Sequence, residues 1–151
     1  MLDLAISIRP AVHSDIRALT SLLKILFSIE EDFVFNKRLQ SKGLELMIHN
    51  EKCCVMVADV NGQVTGMCSG QMTISTAEGG PALLVEDVIV HEDYRGRGFG
   101  RRLMEEVAEW GKARGALRIQ LLADRNNASA LEFYKRLGWR TTELICLRKT
   151  F

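Results

Sequence analysis

Three glycines and two arginines fall within six residues at Arg95-Gly96-Arg97-Gly98-Phe99-Gly100, and Arg101 and Arg102 follow directly. Such a composition suits the holding of an anion. Glycine lets the backbone approach a ligand closely and adopt angles closed to other residues, while arginine supplies forked, charged donors. The run lies between an apolar strand ending at Val90 and a helix beginning near Gly98. The first N–H groups of a helix have no partner inside it, so they point at an incoming phosphate. Four arginines and no acids stand between Arg95 and Arg102, whereas the whole chain carries a formal charge of only +1. The positive field is local, as a bound phosphate requires, and no general grip on nucleic acid or a membrane surface is expected.

Spacing separates this loop from other glycine-rich anion sites. A dinucleotide fingerprint GxGxxG needs glycine at 101 or 103, where the chain has Arg101 and Leu103. The GxxxxGK pattern followed by Ser or Thr is absent as well. An RG-rich RNA-binding segment would be repeated and disordered, and this one is short and lies between regular elements.

The elements that must position the loop can be read from periodicity. Ile6 and Ile8 alternate before Pro10 and suggest a first strand. Ile16, Leu19, Leu22, Leu23 and Leu26 recur at helical spacing, with Ser14 or Asp15 as cap. A second helix is expected from about Asn36 to His49. Cys53–Val60, Asn61-Gly62 and Gln63–Ile74 read as a hairpin with a type I′ turn. Ala82–Val90 reads as a central strand, and a helix runs from near Gly98 to Arg114, ended by Gly115. Leu117–Ala123 is expected as a strand, Asn127–Leu137 as a helix and Trp139–Leu147 as a last strand. The order β-α-α-β-β-β-α-β-α-β implies an α/β protein with a mixed sheet covered by helices.

A chain of 151 residues with 47% hydrophobic and 26% charged residues is expected to fold as one globular domain, 1–151. Cys53, Cys54, Cys68 and Cys146 form no CxxC pair and read as reduced thiols, which points to the cytoplasm. No run approaches the length of a membrane span, and no membrane partner is expected. His13, His49 and His91 have no mutual spacing that argues for a ligand set, so no metal is expected.

Two blocks of residues carry a family resemblance. Arg95-x-x-Gly98-x-Gly100 is similar to the Q/R-x-x-G-x-G/A signature of the GCN5-related N-acetyltransferases. Asn127-x-x-Ala130-x-x-Phe133-Tyr134-x-x-x-Gly138-Trp139 resembles the second block of the same family, with Trp where Phe is commoner. The resemblance is close over about residues 82–140 and holds in outline elsewhere. It implies the three-layer acyl-CoA N-acyltransferase fold, acetyl-CoA as co-substrate and an amine as acceptor.

By that resemblance the pyrophosphate of coenzyme A lies on the loop Arg95, Gly96, Arg97, Gly98, Phe99, Gly100 and Arg101. The pantetheine arm pairs with peptide groups of Val88, Ile89 and Val90, and Asn127 and Ala130 lie beside it. An amine nucleophile must lose a proton before or during attack, because its pKa near ~10.4 keeps it protonated at neutral pH. Glu86 resembles the glutamate proposed as a water-mediated base in polyamine-type members, and Asp87, its neighbour, is expected on the opposite face. Tyr134 stands where the family places the tyrosine that protonates the departing thiolate. Glu30, Glu31 and Asp32 cluster where the resemblance places the acceptor pocket, with Asp87 as a further candidate substrate contact, and acids suit a cationic amine. The acceptor is a small molecule or a peptide, and the resemblance is compatible with a homodimer. Two alternatives stand beside transfer of acetyl: a coenzyme A-binding sensor or scaffold without turnover, and an enzyme using another acyl-CoA.

Overall fold

The Asn61-Gly62 pair sets the geometry of the middle of the sheet. Both residues have positive φ, 54° and 83°, and this type I′ turn folds β2 (Cys53–Val60) back on β3 (Gln63–Ser75) as an antiparallel hairpin. The computed structural model describes residues 4–30 and 32–151. Around the hairpin lie β1 (Ile6–Pro10), β4 (Gly80–Val90) and β5 (Ile119–Leu121), in the order β1-β2-β3-β4-β5. All pairs are antiparallel except β4 with β5. The parallel pair is joined by the crossover helix α3 (Phe99–Ala113). β4 is thus an interior strand, with β3 on one side and β5 on the other, while β3 holds the middle of the sheet.

Two helices, α1 (Ile16–Ile29) and α2 (Lys37–Ile48), cover one face of the sheet. Leu19, Leu22, Leu23 and Leu26 of α1 and Leu44 of α2 cluster with Val55, Val57, Met67 and Ile89 of the strands. Burying each such side chain contributes roughly 1.5–3 kcal/mol. Residues of opposite parity face α3: a Cβ placed on Gly70 would meet Val107, Leu83 and Cys54 within 3.2 Å. Gly111 of α3 lies closer still, its hypothetical Cβ 2.7 Å from Leu83 Cδ2, so this glycine is what lets helix and sheet touch. Helix, sheet and helix make three layers.

Several boundaries differ from the sequence reading. A 3₁₀ turn at His13–Asp15 precedes α1, and Asp15 holds the N-cap position without capping. Its carboxylate is taken by Arg9, at 2.7 and 3.0 Å, and by the Val12 N–H at 2.8 Å. Arg9 also reaches Asp59 of β2 at 3.1 Å, which ties the first strand to the helix start. Asn36, by contrast, does cap α2, its Oδ1 accepting from the Leu39 N–H. β4 begins at Gly80 rather than Ala82, and β5 keeps only three residues of the seven expected from Leu117 to Ala123.

The described chain divides into two compact units, Met1–Leu121 and Leu122–Phe151. The second holds α4 (Ala128–Arg136). The last strand expected over Trp139–Leu147 does not form. A strand exists only through hydrogen bonds to a neighbour, and among the described residues none pairs with this segment. Leu144-Ile145-Cys146-Leu147 is a contiguous apolar run instead of an alternating one, so neither face is distinct.

Candidate active site

β4 is interrupted where the acidic pair stands. Met67 pairs with Ile89 but Ser69 pairs with Glu86, so two steps along β3 answer three along β4. The extra residue is a bulge. Asp87 within it has φ +54°, a left-handed conformation that Asp and Asn tolerate better than other side chains. β5 pairs with β4 only over Leu83, Leu84 and Val85. From Glu86 to Val90 the edge of β4 toward β5 therefore has no strand partner among the described residues. Peptide groups of Val88, Ile89 and Val90 fall in this stretch, with Ile89 buried and the two valines half-buried.

The bulge also separates the two acids. Glu86 is exposed and Asp87 half-buried. Ser69 Oγ lies 3.0 Å from the Glu86 carbonyl and 3.4 Å from Asp87 Oδ2. Burial pushes the Asp87 carboxyl up to about 6, the nearby Glu86 charge acts in the same direction, and the Ser69 hydrogen bond opposes them. Sequence reasoning ranked Asp87 only as a substrate contact. Its altered titration depends on the bulge, for which the residues 86–89 carry no local signal.

After β4 the chain makes a 3₁₀ turn at Glu92–Tyr94, in which His91 Nδ1 accepts from the Asp93 N–H. Arg95 Nε then donates to the carbonyl of Val90 at 2.8 Å and closes the loop on the strand end. The Arg97 guanidinium lies 5.4 Å from the Tyr94 ring centroid, and Arg101 pairs with Glu105 at 2.8 Å. Gly96 and Gly98 have φ +74° and +83°. Gly98 is the N-cap of α3 and offers no side chain to it. The first bond into the helix runs from the Arg102 N–H to the Gly98 carbonyl, which leaves the N–H groups of Phe99, Gly100 and Arg101 ahead of the helical ladder. A Cβ placed on Gly96 or Gly98 would meet nothing within 4 Å. The glycines are needed for backbone angle, and the space over them is open to a ligand. Phe99 is 4% exposed and its side chain anchors the helix in the core, so only its backbone N–H is left for the loop.

In the second unit Asn127 is the N-cap of α4, its Oδ1 accepting from the Ala130 N–H at 3.1 Å. Tyr134 is half-buried, with the Phe133 ring 5.3 Å and the Trp139 ring 6.1 Å away. Of the acidic run, Glu30 is the half-buried C-cap of α1 and Asp32 is exposed, while Glu31 lies outside the described residues. Burial raises the thiols of Cys54, to about 12, and of Cys68, so neither is a thiolate at neutral pH.

A mixed sheet with a bulged interior strand, followed by an arginine- and glycine-rich loop that leads into α3, defines an α/β protein. The chain belongs to the acetyltransferase (GNAT) family, whose model matches residues 18–139. It is 34% identical over 90 residues to an uncharacterized N-acetyltransferase of Methanocaldococcus jannaschii, a match covering 59% of this chain and 40% of that protein. It is 28% identical over 106 residues to an acetyltransferase of Yersinia pestis, covering 70% and 71%. In structure it resembles the aminoglycoside N-acetyltransferase AAC(6')-Iy in complex with CoA, with a TM-score of 0.86 at 16% identity over 99% of this chain and 97% of that one. The chain thus spans less than half the length of the M. jannaschii relative.

Proposed function

We propose that residues 1–151 act as a single acetyltransferase domain that moves an acetyl group from acetyl-CoA to a primary amine by direct attack in a ternary complex. The observation that carries this reading is the open, left-handed glycine cradle at Gly96 and Gly98 ahead of α3. It fits a pyrophosphate: the N–H groups of residues 97–101 would hold it and Arg95 would keep the loop in register. The edge of β4 that β5 leaves uncovered from Val88 to Val90 suits the amide-bearing pantetheine arm. The CoA and bisubstrate complexes of AAC(6')-Iy lend support to this donor and to a small amine as acceptor. When bound, acetyl-CoA supplies the acyl group as a thioester.

In this reading Glu86 accepts the amine proton through water, and Tyr134 donates its phenolic proton to the departing sulfur. Glu30, Glu31 and Asp32 attract the cationic acceptor. No cysteine is needed as a nucleophile, in keeping with the raised thiols of Cys54 and Cys68. A second reading of the base is favoured by Asp87, whose carboxyl titrates at about 6, close to the pH at which a base works best. The cytoplasm remains the compartment proposed from cysteine usage.

Thiol release measured over a panel of amines with acetyl-, propionyl- and succinyl-CoA tests the proposal. Turnover with acetyl-CoA and a primary amine is expected, and coenzyme A binding without thiol release would favour a sensor or scaffold. Glu86→Gln should depress the rate at neutral pH and lose its effect as pH rises. A defect independent of pH in Glu86→Gln, together with a flattened acid limb in Asp87→Asn, would move the role to Asp87. Tyr134→Phe should reduce turnover roughly 10²-fold and spare coenzyme A binding.

A further inference from the structure

Two of the three histidines, 36 positions apart in the chain, meet in the fold. His13 sits in the 3₁₀ turn before α1 and His49 at the C-cap of α2, with ring centroids 6.1 Å apart. Glu45 lies one turn before His49 on the same helix face. One ligand atom from each of His13, Glu45 and His49 lies within 4.8 Å of the others, and all three residues are exposed. His49 and Glu45 also line a depression of about 630 Å³ together with Lys42, Leu46 and Glu51. The sequence spacing of the histidines argues for no ligand set, yet the packing of α1 with α2 brings His13 and His49 together.

We propose that His13, Glu45 and His49 form a binding site for a divalent transition cation, with Zn²⁺ the best match. Two imidazoles and one carboxylate are a donor set that zinc takes in three positions while a fourth stays open to water. A tetrahedral ion at 2.0–2.1 Å needs its ligand atoms about 3.3 Å apart, so pairs spaced up to 4.8 Å close by at most about 1.5 Å. Rotation of exposed side chains supplies this without backbone movement. The backbone beneath them is held. Arg9 and the Val12 N–H bind Asp15 in the turn of His13, and the His49 N–H donates to the Glu45 carbonyl at 3.2 Å. Thr20 and Ser41 hydroxyls, 3.2 Å apart, bridge α1 and α2 nearby. An ion here clips the start of α1 to the end of α2. It stabilises the fold by mass action in proportion to its occupancy. The proposal stands apart from the acetyl-transfer reading, because none of its ligands is assigned to that chemistry.

The test is calorimetric titration of Zn²⁺ into the full chain freed of any affinity tag, with melting temperature followed in parallel. One equivalent should bind, and each of His13→Ala, Glu45→Gln and His49→Ala should weaken it by roughly tenfold or more and abolish the zinc-dependent rise in melting temperature. Cys146→Ser serves as control, since Cys146 is an exposed thiol, and it should bind as the parent does. In the unmutated chain, Co²⁺ should perturb the imidazole NMR signals of His13 and His49 ahead of those of His91. No zinc binding by the parent chain, affinity unchanged in both histidine variants, or affinity lost with Cys146→Ser would overturn the proposal.

Discussion

Asp87→Asn should make the protein more stable at neutral pH and leave it nearly unchanged in acid. Burial first, and the Glu86 charge second, raise the Asp87 carboxyl from its ordinary 3.8 to about 6 in the folded chain. The folded state therefore holds this proton more tightly than the unfolded state does. Below about pH 4 the group is protonated in both and costs nothing; as pH rises from about 4 to about 6 the folded state loses stability, and above that the full penalty applies. At 1.36 kcal/mol per pH unit, the penalty reaches about 3 kcal/mol at pH 7. Asparagine removes the charge, keeps an acceptor for Ser69 and tolerates the φ of +54°. For a chain of this size each kcal/mol moves the melting temperature by roughly 2–4 °C, so a gain of about 6–12 °C is expected at pH 7. Thermal unfolding of both proteins at pH 7 and pH 4, followed by far-UV circular dichroism, measures it. An equal gain at both pH values would mean the effect is packing rather than charge, and no gain at pH 7 would refute the claim that an ionised carboxylate is held there at a cost. A residue kept in the bulge against such a penalty is the kind that function retains.

Gly98→Ala places a side chain at φ +83° in open space; it should cost about 1–2 kcal/mol of stability and a larger fraction of coenzyme A affinity, read by calorimetry, because the new methyl stands in the phosphate cradle. Asp15→Asn should destabilise by about 1.5–3 kcal/mol at pH 7 through loss of the charged Arg9 pair. Arg9 holds the Asp15 carboxyl below its ordinary 3.8, so this contribution is present above about pH 4 and is lost as pH falls through the folded value; the gap in denaturant midpoint between variant and parent should be smaller at pH 3 than at pH 7. Gly111→Val drives a side chain into Leu83, 2.7 Å from its Cβ position, and should lower stability by about 1–3 kcal/mol while coenzyme A affinity below the melting temperature stays unchanged.

Much of the site was legible because it is built from local chemistry. Gly96 and Gly98 permit the left-handed backbone that the loop takes before the helix, Asn61-Gly62 makes its own turn, and Asn36 and Asn127 cap the helices that follow them. The arginines from Arg95 to Arg102 concentrate charge without help from distant residues. Other features need partners that the chain delivers from afar. The bulge at Asp87 exists only against the register of β3, and the titration of its carboxyl depends on burial among other elements. Asp15 reads as a helix cap until Arg9 and Val12 claim its carboxylate. Trp139–Leu147 has strand-forming residues, yet among the described residues none of them joins a strand. The arginine and glycine loop thus follows from sequence through backbone angles and the orphan N–H groups of a helix start. The acid pair on β4 and the meeting of His13 with Glu45 and His49 follow only from tertiary packing, because register and helix crossing, and not spacing along the chain, bring those groups within reach.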